Sequence, residues 1–133
     1  MTKDNTSIIF QGKNWEIFLR EDIKHETIWA NQKQISDIFW IDRTVVTRHI
    51  NNIFKDGELD KNLVRAKYAH TTKHWAIEGK TQTKETYFYN LDIILAVGYR
   101  TNSSQAMAFR KWANSILKEY ITQGYLSTNK ENI

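Results

Sequence analysis

The chain has 133 residues, of which 41% are hydrophobic and 26% charged, and its formal net charge is +4. This balance excludes a disordered chain and predicts a single domain over 1–133, folded over about 7–126. The absence of cysteine excludes disulfides and thiolate metal sites. No apolar run has the length of a membrane span, and the start lacks the apolar segment of a signal peptide, so we expect a cytoplasmic protein. The basic excess favours a polyanionic partner only if the charge gathers on one face.

The N-terminal segment has the pattern of a β-hairpin. Two short apolar runs, 8–10 and 15–19, flank the sequence QGKN, in which Gly12 and Asn14 are expected to take positive φ angles. The segment ETIWA predicts a further short strand before residue 31.

Two helices are predicted between residues 31 and 57. Asn31 is the expected N-cap of the first helix and Asp42 that of the second. The second helix should end at Asp56-Gly57, because glycine tolerates a left-handed backbone. The apolar residues that recur at helical spacing are Ile35, Ile38 and Phe39 in the first helix and Val46, Ile50, Ile53 and Phe54 in the second.

This pair of helices matches a helix-turn-helix, in which the first helix braces a second helix that enters the DNA major groove. Ser36 supplies the small residue at the helix crossing, Ile41 fills the turn, and Val46 points inward. Trp40 departs from the pattern, since the turn usually has glycine there in a left-handed conformation. The turn is therefore expected to be longer or differently shaped, which leaves the start of the second helix open.

The outer face of the second helix carries side chains suited to DNA. Arginine can donate two bonds to guanine, asparagine can pair with adenine, and threonine can bond a phosphate or touch a thymine methyl. The alternative is an ordinary pair of helices whose exposed face is polar because it is hydrated. The candidate DNA-binding residues are Arg43, Thr44, Thr47, Arg48, Asn51, Lys55 and, from the hairpin that follows, Lys80.

That second β-hairpin is predicted over 62–89, with strands near 64–70 and 83–89 and a tip at Glu78-Gly79-Lys80. A hairpin after a helix-turn-helix can act as a wing that contacts the DNA backbone, with Lys80 as the best single candidate. The alternative is a charged, solvated strand surface. The candidate phosphate-contacting cations are Lys55, Arg65, Lys67, Lys73, Lys80 and Lys84.

Two C-terminal helices are predicted over about 90–123. Asn90 caps the first, which is expected to end at Gly98, and the second runs from Ser103 or Ser104 to Gly124. Most of its apolar stripe should be core, and a homodimer contact is a second use for such a long helix. The stripe is Phe109, Ala113, Ile116, Leu117, Tyr120 and Ile121, with Trp112 at its margin and Arg110, Lys111, Asn114 and Lys118 on the exposed side.

No catalytic site, metal site or cofactor is predicted. His70 and His74 have i, i+4 spacing, but their segment is expected to be extended and lacks the glutamate of the zinc-protease motif. Adjacent carboxylates at 21–22 point to opposite faces of a strand, and the five glycines form no phosphate-binding loop. His49 is expected to be solvated, with a phosphate contact as the alternative.

Several segments together resemble the amino-terminal domain of the RhuM family of bacterial virulence-associated proteins. They are, in order, QKQISDIF, DRTVVTRHINNIFKDGELD, AKYAHT, YFYNLDIILAVGYRTNS and FRKWANSILKEYITQGY. The resemblance spans about Trp15 to Tyr125, and its most specific runs are RHINNIFKDGELDKN and YNLDIILAVGYR. Residues 91–118 are more faintly similar to the Bro amino-terminal domain of phage and viral DNA-binding and antirepressor-like proteins. The resemblance implies a DNA-associated regulatory protein, and it implies glycine as the common residue at the position of Trp40.

Residues and resemblance together predict an α+β domain. It has a helix-turn-helix core, an N-terminal β-hairpin, a second, wing-like β-hairpin and a long C-terminal helix. We expect a non-enzymatic, transcription-regulatory domain that binds double-stranded DNA through the second helix of the pair. The alternative function is a protein-interaction module of phage or toxin-antitoxin type, in which the same fold is a scaffold for a partner protein.

Overall fold

The computed structural model describes residues 5–73 and 81–131, and the side chains within 7–68 and 84–124. Two small antiparallel sheets and five helices are present in these ranges, so the predicted α+β class is confirmed. The elements are β1 (Asn5–Gln11), β2 (Glu16–Asp22), β3 (Thr27–Trp29), α1 (Gln32–Phe39), α2 (Arg43–Lys55), α3 (Lys61–Val64), β4 (Arg65–Lys73), β5 (Thr81–Tyr89), α4 (Leu91–Thr101) and α5 (Ser104–Glu131).

The first sheet has the strand order β1-β2-β3, and its inner face closes one side of the core. Ile8 lies opposite Leu19, and Phe10 opposite Ile17. Because side chains alternate along a strand, the intervening pair Ile9 and Phe18 points to the other face and is exposed. The predicted N-terminal hairpin and its third strand are confirmed.

The expectation of positive φ angles at Gly12 and Asn14 is wrong, since neither has one. A Cβ on Gly12 would overlap the Trp15 indole, so glycine is needed there for close packing rather than for a left-handed backbone. The positive φ occurs in the following turn, at Glu26 (φ 53°).

The second hairpin begins later than predicted, because residues 61–64 form the short helix α3. Asp60 caps this helix by accepting a 2.9 Å bond from the Asn62 N–H. β4 then pairs with β5 from Arg65 opposite Tyr89 onward. The two sheets are joined where Ala30 and Tyr89 exchange backbone hydrogen bonds of 2.8 and 2.9 Å.

The predicted end of α4 at Gly98 is also wrong. The helix continues to Thr101 and ends with Asn102 in the left-handed conformation (φ 47°). Gly98 is buried, and a Cβ there would lie 3.0 Å from the Phe39 ring. The glycine therefore allows α1 to approach α4 closely. In the sequence, a glycine with this packing role cannot be distinguished from a glycine that ends a helix.

The last helix passes the expected stop at Gly124 and reaches Glu131. Glycine inside a helix costs only about 1 kcal/mol relative to alanine, which does not by itself end a long helix. The buried line on α5 consists of Phe109, Ala113, Ile116 and Tyr120, but Ile121 is 68% exposed. Each helical residue is rotated about 100° from the one before it, so Ile121 turns away from the line that ends at Tyr120.

The core lies between the inner face of the first sheet and helices α1, α2, α4 and α5. Its centre is aromatic: the Phe109 ring lies 5.1 Å from Phe10 and 5.6 Å from Phe39, each approximately edge to face. Trp112 packs against Phe10 and Phe109, so it belongs to the core margin. At the far end, the Tyr120 hydroxyl donates a 2.6 Å hydrogen bond to Glu21 and ties α5 to β2.

Candidate nucleic-acid interface

Helices α1 and α2 lie where the sequence predicts them, and their boundaries are set by local hydrogen bonds. Asn31 forms a capping box with Gln34 at the start of α1. The Asp42 carboxylate accepts from the Thr44 N–H at the start of α2. Gly57 (φ 70°) ends α2 with bonds from Gly57 N–H to Phe54 and from Glu58 N–H to Ile53 carbonyls, the Schellman pattern.

The turn between these helices is short, although Trp40 occupies it. Trp40 itself takes the left-handed conformation, with φ 56° and ψ 43°, so the expectation of a longer turn is wrong. Ser36 holds the turn closed, since its hydroxyl donates to the Ile41 carbonyl at 2.5 Å and its own carbonyl accepts from Ile41 N–H at 3.2 Å. The turn is therefore residues 40–42, and α2 starts at Arg43 as the Asp42 cap predicts.

The two sides of α2 differ sharply in exposure. Val46, Ile50 and Ile53 are buried as predicted, and Phe54 packs against the core from its edge. Opposite this line, exposed residues follow the helix axis at spacings of three and four, and Asn52 extends the exposed surface without having been predicted. We call the outer stripe of α2 the set Thr44, Arg48, Asn51 and Lys55.

Side chains of the outer stripe are not used to hold the fold together. Within the described part of the chain, Arg48, Asn51 and Lys55 make no side-chain hydrogen bond or ion pair. The helix contains three cations, Arg43, Arg48 and Lys55, and no carboxylate. The surface of α2 is thus basic and rich in unused donors.

Thr47 differs from the other candidates. Its hydroxyl donates to Gln32 Oε1 at 2.6 Å, and the same glutamine donates from Nε2 to the Tyr89 hydroxyl at 3.3 Å. This chain of bonds links α2, α1 and β5. Thr47 is half-buried and its hydroxyl bonds within the fold, so it is not part of the outer stripe of α2.

Arg43 is exposed but faces a cleft between the helix pair and the second hairpin. The cleft has a volume of about 440 Å³, and its basic lining residues are Lys33, Arg43 and Lys84. Tyr87 lines it from β5. Arg43 therefore lies beside the outer stripe of α2, on the side of the helix that faces the second hairpin.

The cations of the hairpin have local partners. The Arg65 guanidinium lies 4.0 Å from the centre of the Tyr87 ring, and Lys67 approaches the same ring at 5.1 Å. Lys67 also pairs with Glu85 at 3.3 Å, and the hydrogen bond that Lys67 donates to that carboxylate raises the pKa of Lys67. Of the remaining predicted cations, Lys80 and the side chain of Lys73 lie outside the described residues.

Near the end of α2, acidic residues are neutralised by α4. Arg100 reaches Asp56 at 3.4 Å and Glu58 at 3.1 Å. His49 is half-buried rather than fully solvated, and burial, followed by the positive charges of Arg48 and Arg100, lowers its pKa. These surroundings disfavour the protonated form of the imidazole.

The exposed side of α5 contributes Lys111, Asn114 and Lys118, while Arg110 stacks on Tyr99 at 4.8 Å. These residues lie on a different element from the outer stripe of α2.

A second surface feature escaped the sequence pattern. Trp15, in the first hairpin, and Trp40, in the turn, meet with ring centres 6.0 Å apart and an interplanar angle of 80°. They line a pocket of about 470 Å³ together with Glu16 and Asp37. The two tryptophans are 25 positions apart in sequence, so only the packing of α1 on β2 brings them together.

Within residues 5–73 and 81–131, no helix combines the length and apolarity that a bilayer crossing requires. The same ranges hold no cluster of three acidic or histidine side chains arranged to bind a metal. His74, one of the two histidines considered above, lies outside the described residues.

Comparison with known proteins places the chain in a family. The family described as virulence protein RhuM matches residues 66–132, which is just over half of the chain. The match covers the second hairpin, α4 and α5, and begins after α2. No curated protein and no solved structure gives a match. The chain therefore belongs to the RhuM family of virulence proteins.

Proposed function

We propose that this chain is a non-enzymatic, cytoplasmic DNA-binding domain that regulates transcription and reads bases with the outer stripe of α2. The observation that carries the proposal is the stripe itself. Thr44, Arg48, Asn51 and Lys55 are exposed on one side of a helix whose other side is packed into the core. Guanidinium and amide groups that have no partner among the described residues are suited to recognise base edges in the major groove.

The distribution of charge supports the same proposal. Carboxylates without a counter-ion weaken a DNA-binding face, because they repel phosphates. α2 itself has none. At its N-terminus the Asp42 carboxylate accepts the hydrogen bond of the Thr44 N–H, and at its C-terminal end Asp56 and Glu58 share Arg100 as a counter-ion. The exposed side of α2 is therefore positively charged.

The second hairpin fits a supporting role on the phosphate backbone. Lys84 and Arg43 line one cleft, from β5 and from the start of α2. A strand of DNA whose bases face α2 would pass this cleft, and the two cations would neutralise its phosphates. Arg65 and Lys67 contact Tyr87, which stiffens their side chains and lowers the entropy lost on binding.

The test is selection of bound sequences from a random pool of DNA duplexes. Enrichment of a defined motif is the expected result, and affinity for that motif should fall by about tenfold or more between 50 and 200 mM salt. A pool that remains random at low salt after repeated rounds would overturn base readout. Affinity that is flat with salt would overturn the phosphate contacts.

A further inference from the structure

The pocket formed by Trp15 and Trp40 shares no lining residue with the outer stripe of α2 and has a different chemistry. Its two indole walls stand at 80° to each other, and the side chains of Glu16 and Asp37 lie beside them. The combination of aromatic faces and carboxylates is repulsive to phosphate and attractive to organic cations.

Folding does not account for the tryptophan at position 40. Its backbone is left-handed, where a glycine is unstrained and a bulky residue is not. The residue is also 65% exposed, so most of its surface gains nothing from burial in the core. A large aromatic residue kept in an unfavourable backbone conformation, and mostly in water, indicates use by a binding partner.

We propose that this pocket binds an arginine side chain presented by a partner protein. A guanidinium can stack on an indole face, where the attraction extends to about 6 Å from the ring centre. Glu16 and Asp37 supply the complementary negative charge. The partner thus meets the domain beside the helix turn, and the outer stripe of α2 stays open.

One local cation competes for this site. Lys33 pairs with Asp37 at 3.2 Å, across one turn of α1. Both side chains are largely exposed, with 73% and 48% of their areas accessible, and such surface pairs have little net stability. An arginine held by two rings as well as by charge therefore displaces Lys33 from the carboxylate.

The proposal is tested with blocked arginine, N-acetyl-arginine amide, titrated into the full chain while indole N–H signals are followed by NMR. The signals of Trp15 and Trp40 should shift saturably, while those of Trp29 and Trp112 stay in place. Blocked citrulline, which has the same shape without the charge, should bind about tenfold more weakly. Equal binding of the two compounds, or no shift with either, would overturn the proposal.

Two variants locate the site. Trp40→Gly removes one wall and suits the left-handed backbone, so the Trp15 shift should be lost while the melting temperature is kept or raised. The double variant Glu16→Gln, Asp37→Asn keeps both rings and should weaken arginine binding several-fold, whereas Glu119→Gln on α5 is the matched control and should not. If Trp40→Gly does not fold, the double variant decides alone, and unchanged binding in it contradicts the proposal.

Duplex DNA is the final arm of the experiment. At low salt it should shift backbone signals of α2 and leave the Trp15 and Trp40 indoles unmoved. If DNA moves these indoles, the pocket belongs to the nucleic-acid interface and the arginine assignment is wrong. If DNA binds nowhere but blocked arginine still binds, the proposed function fails and the pocket stands.

Discussion

Under the proposed function, Arg48 is the side chain on which base readout should depend most. It lies on α2 in line with Thr44 and Asn51, is exposed, and has no ion-pair partner in the described structure. If its fork binds guanine, Arg48→Ala should cost about 1 to 3 kcal/mol on the selected site and relax preference at one base pair. The measurement is competition between the selected duplex and its single-base variants. Folding should be unchanged, because the side chain contributes nothing to the core.

Arg48→Lys separates charge from geometry at the same position. Lysine keeps the positive charge but loses the planar fork, so non-specific affinity should recover more than specificity does. Lys111→Ala removes an exposed cation on α5, a different element from the stripe, and is the control for general electrostatics. Equal discrimination by wild type, Arg48→Ala and Arg48→Lys would show that Arg48 reads no base.

Asp22 gives the fold a pH dependence at the scale of one carboxylate. Burial opposes its ionisation, but hydrogen bonds from the Trp29 indole (3.0 Å) and from His25 outweigh burial and lower the pKa of Asp22. A carboxylate with a lowered folded-state pKa stabilises the protein above its unfolded-state pKa of about 3.9, and this stability is lost as pH falls through the folded-state value.

Asp22→Asn should therefore destabilise the protein by about 1 to 3 kcal/mol at pH 7 and by much less at pH 3. Thermal melts of both proteins across this range provide the measurement, with Glu119→Gln as the control on an exposed carboxylate. A gap in melting temperature that stays constant with pH would mean that the charge of Asp22 is not what stabilises the fold.

At the scale of an element, α2 has two faces that should respond oppositely to the same added charge. Ile50→Asp buries an unpaired carboxylate among Val46, Ile53 and the core, and should destabilise the domain by about 3 to 5 kcal/mol. Thr44→Asp puts the carboxylate on the exposed first turn, where the helix dipole favours it by about 0.3 to 1 kcal/mol.

Thr44→Asp should therefore fold normally but bind DNA about tenfold more weakly, because the new charge repels phosphate. Circular dichroism melts and duplex titrations of the two variants make the comparison. A normally folded Ile50→Asp would invalidate the assignment of faces, and full DNA affinity in Thr44→Asp would remove the first turn from the interface.

Elements with caps and periodic apolar residues were predictable from sequence, whereas features that depend on contacts between distant residues were not. Asn31, Asp42 and Gly57 mark α1 and α2 correctly because capping is a local hydrogen-bonding effect. The prediction that α4 ends at Gly98 is wrong because the role of this glycine depends on Phe39, 59 positions earlier. Thr47 is among the predicted candidate DNA-binding residues for a similar reason: its hydrogen-bond partner Gln32 lies on another helix, which the sequence does not show.

The candidate site shows the same division. Exposure of Arg48, Asn51 and Lys55 follows from helical periodicity alone and was predicted. The pocket between Trp15 and Trp40 was not, since it requires the register of the first hairpin and the left-handed turn together. In the sequence, Trp40 is only a departure from the helix-turn-helix pattern. Its interpretation depends on the left-handed backbone and on the contact with Trp15, which the structure shows.

For the whole molecule, we expect two copies to associate through α5. The helix is 28 residues long, and Met107 and Ile121 are 63% and 68% exposed on it. Sedimentation should detect a dimer, and selected DNA sites should contain two half-sites about one helical turn apart. Ile121→Glu should yield monomers that select one half-site, with Thr122→Glu as the neighbouring control. A monomeric wild-type protein would contradict this prediction.

If α2 reads bases as proposed, the length of its outer stripe limits how many base pairs one domain can specify. Thr44 to Lys55 covers eleven helical steps, or about 16 Å, which corresponds to about five base pairs of duplex. Five specified positions recur by chance about once per thousand base pairs, whereas a genome has on the order of a million or more competing sites. The Schellman end at Gly57 prevents a longer reading helix. Under the proposed function, selection of one genomic site would therefore require a second DNA-binding unit held at a fixed distance, either another copy of this chain or a protein bound at the tryptophan pocket.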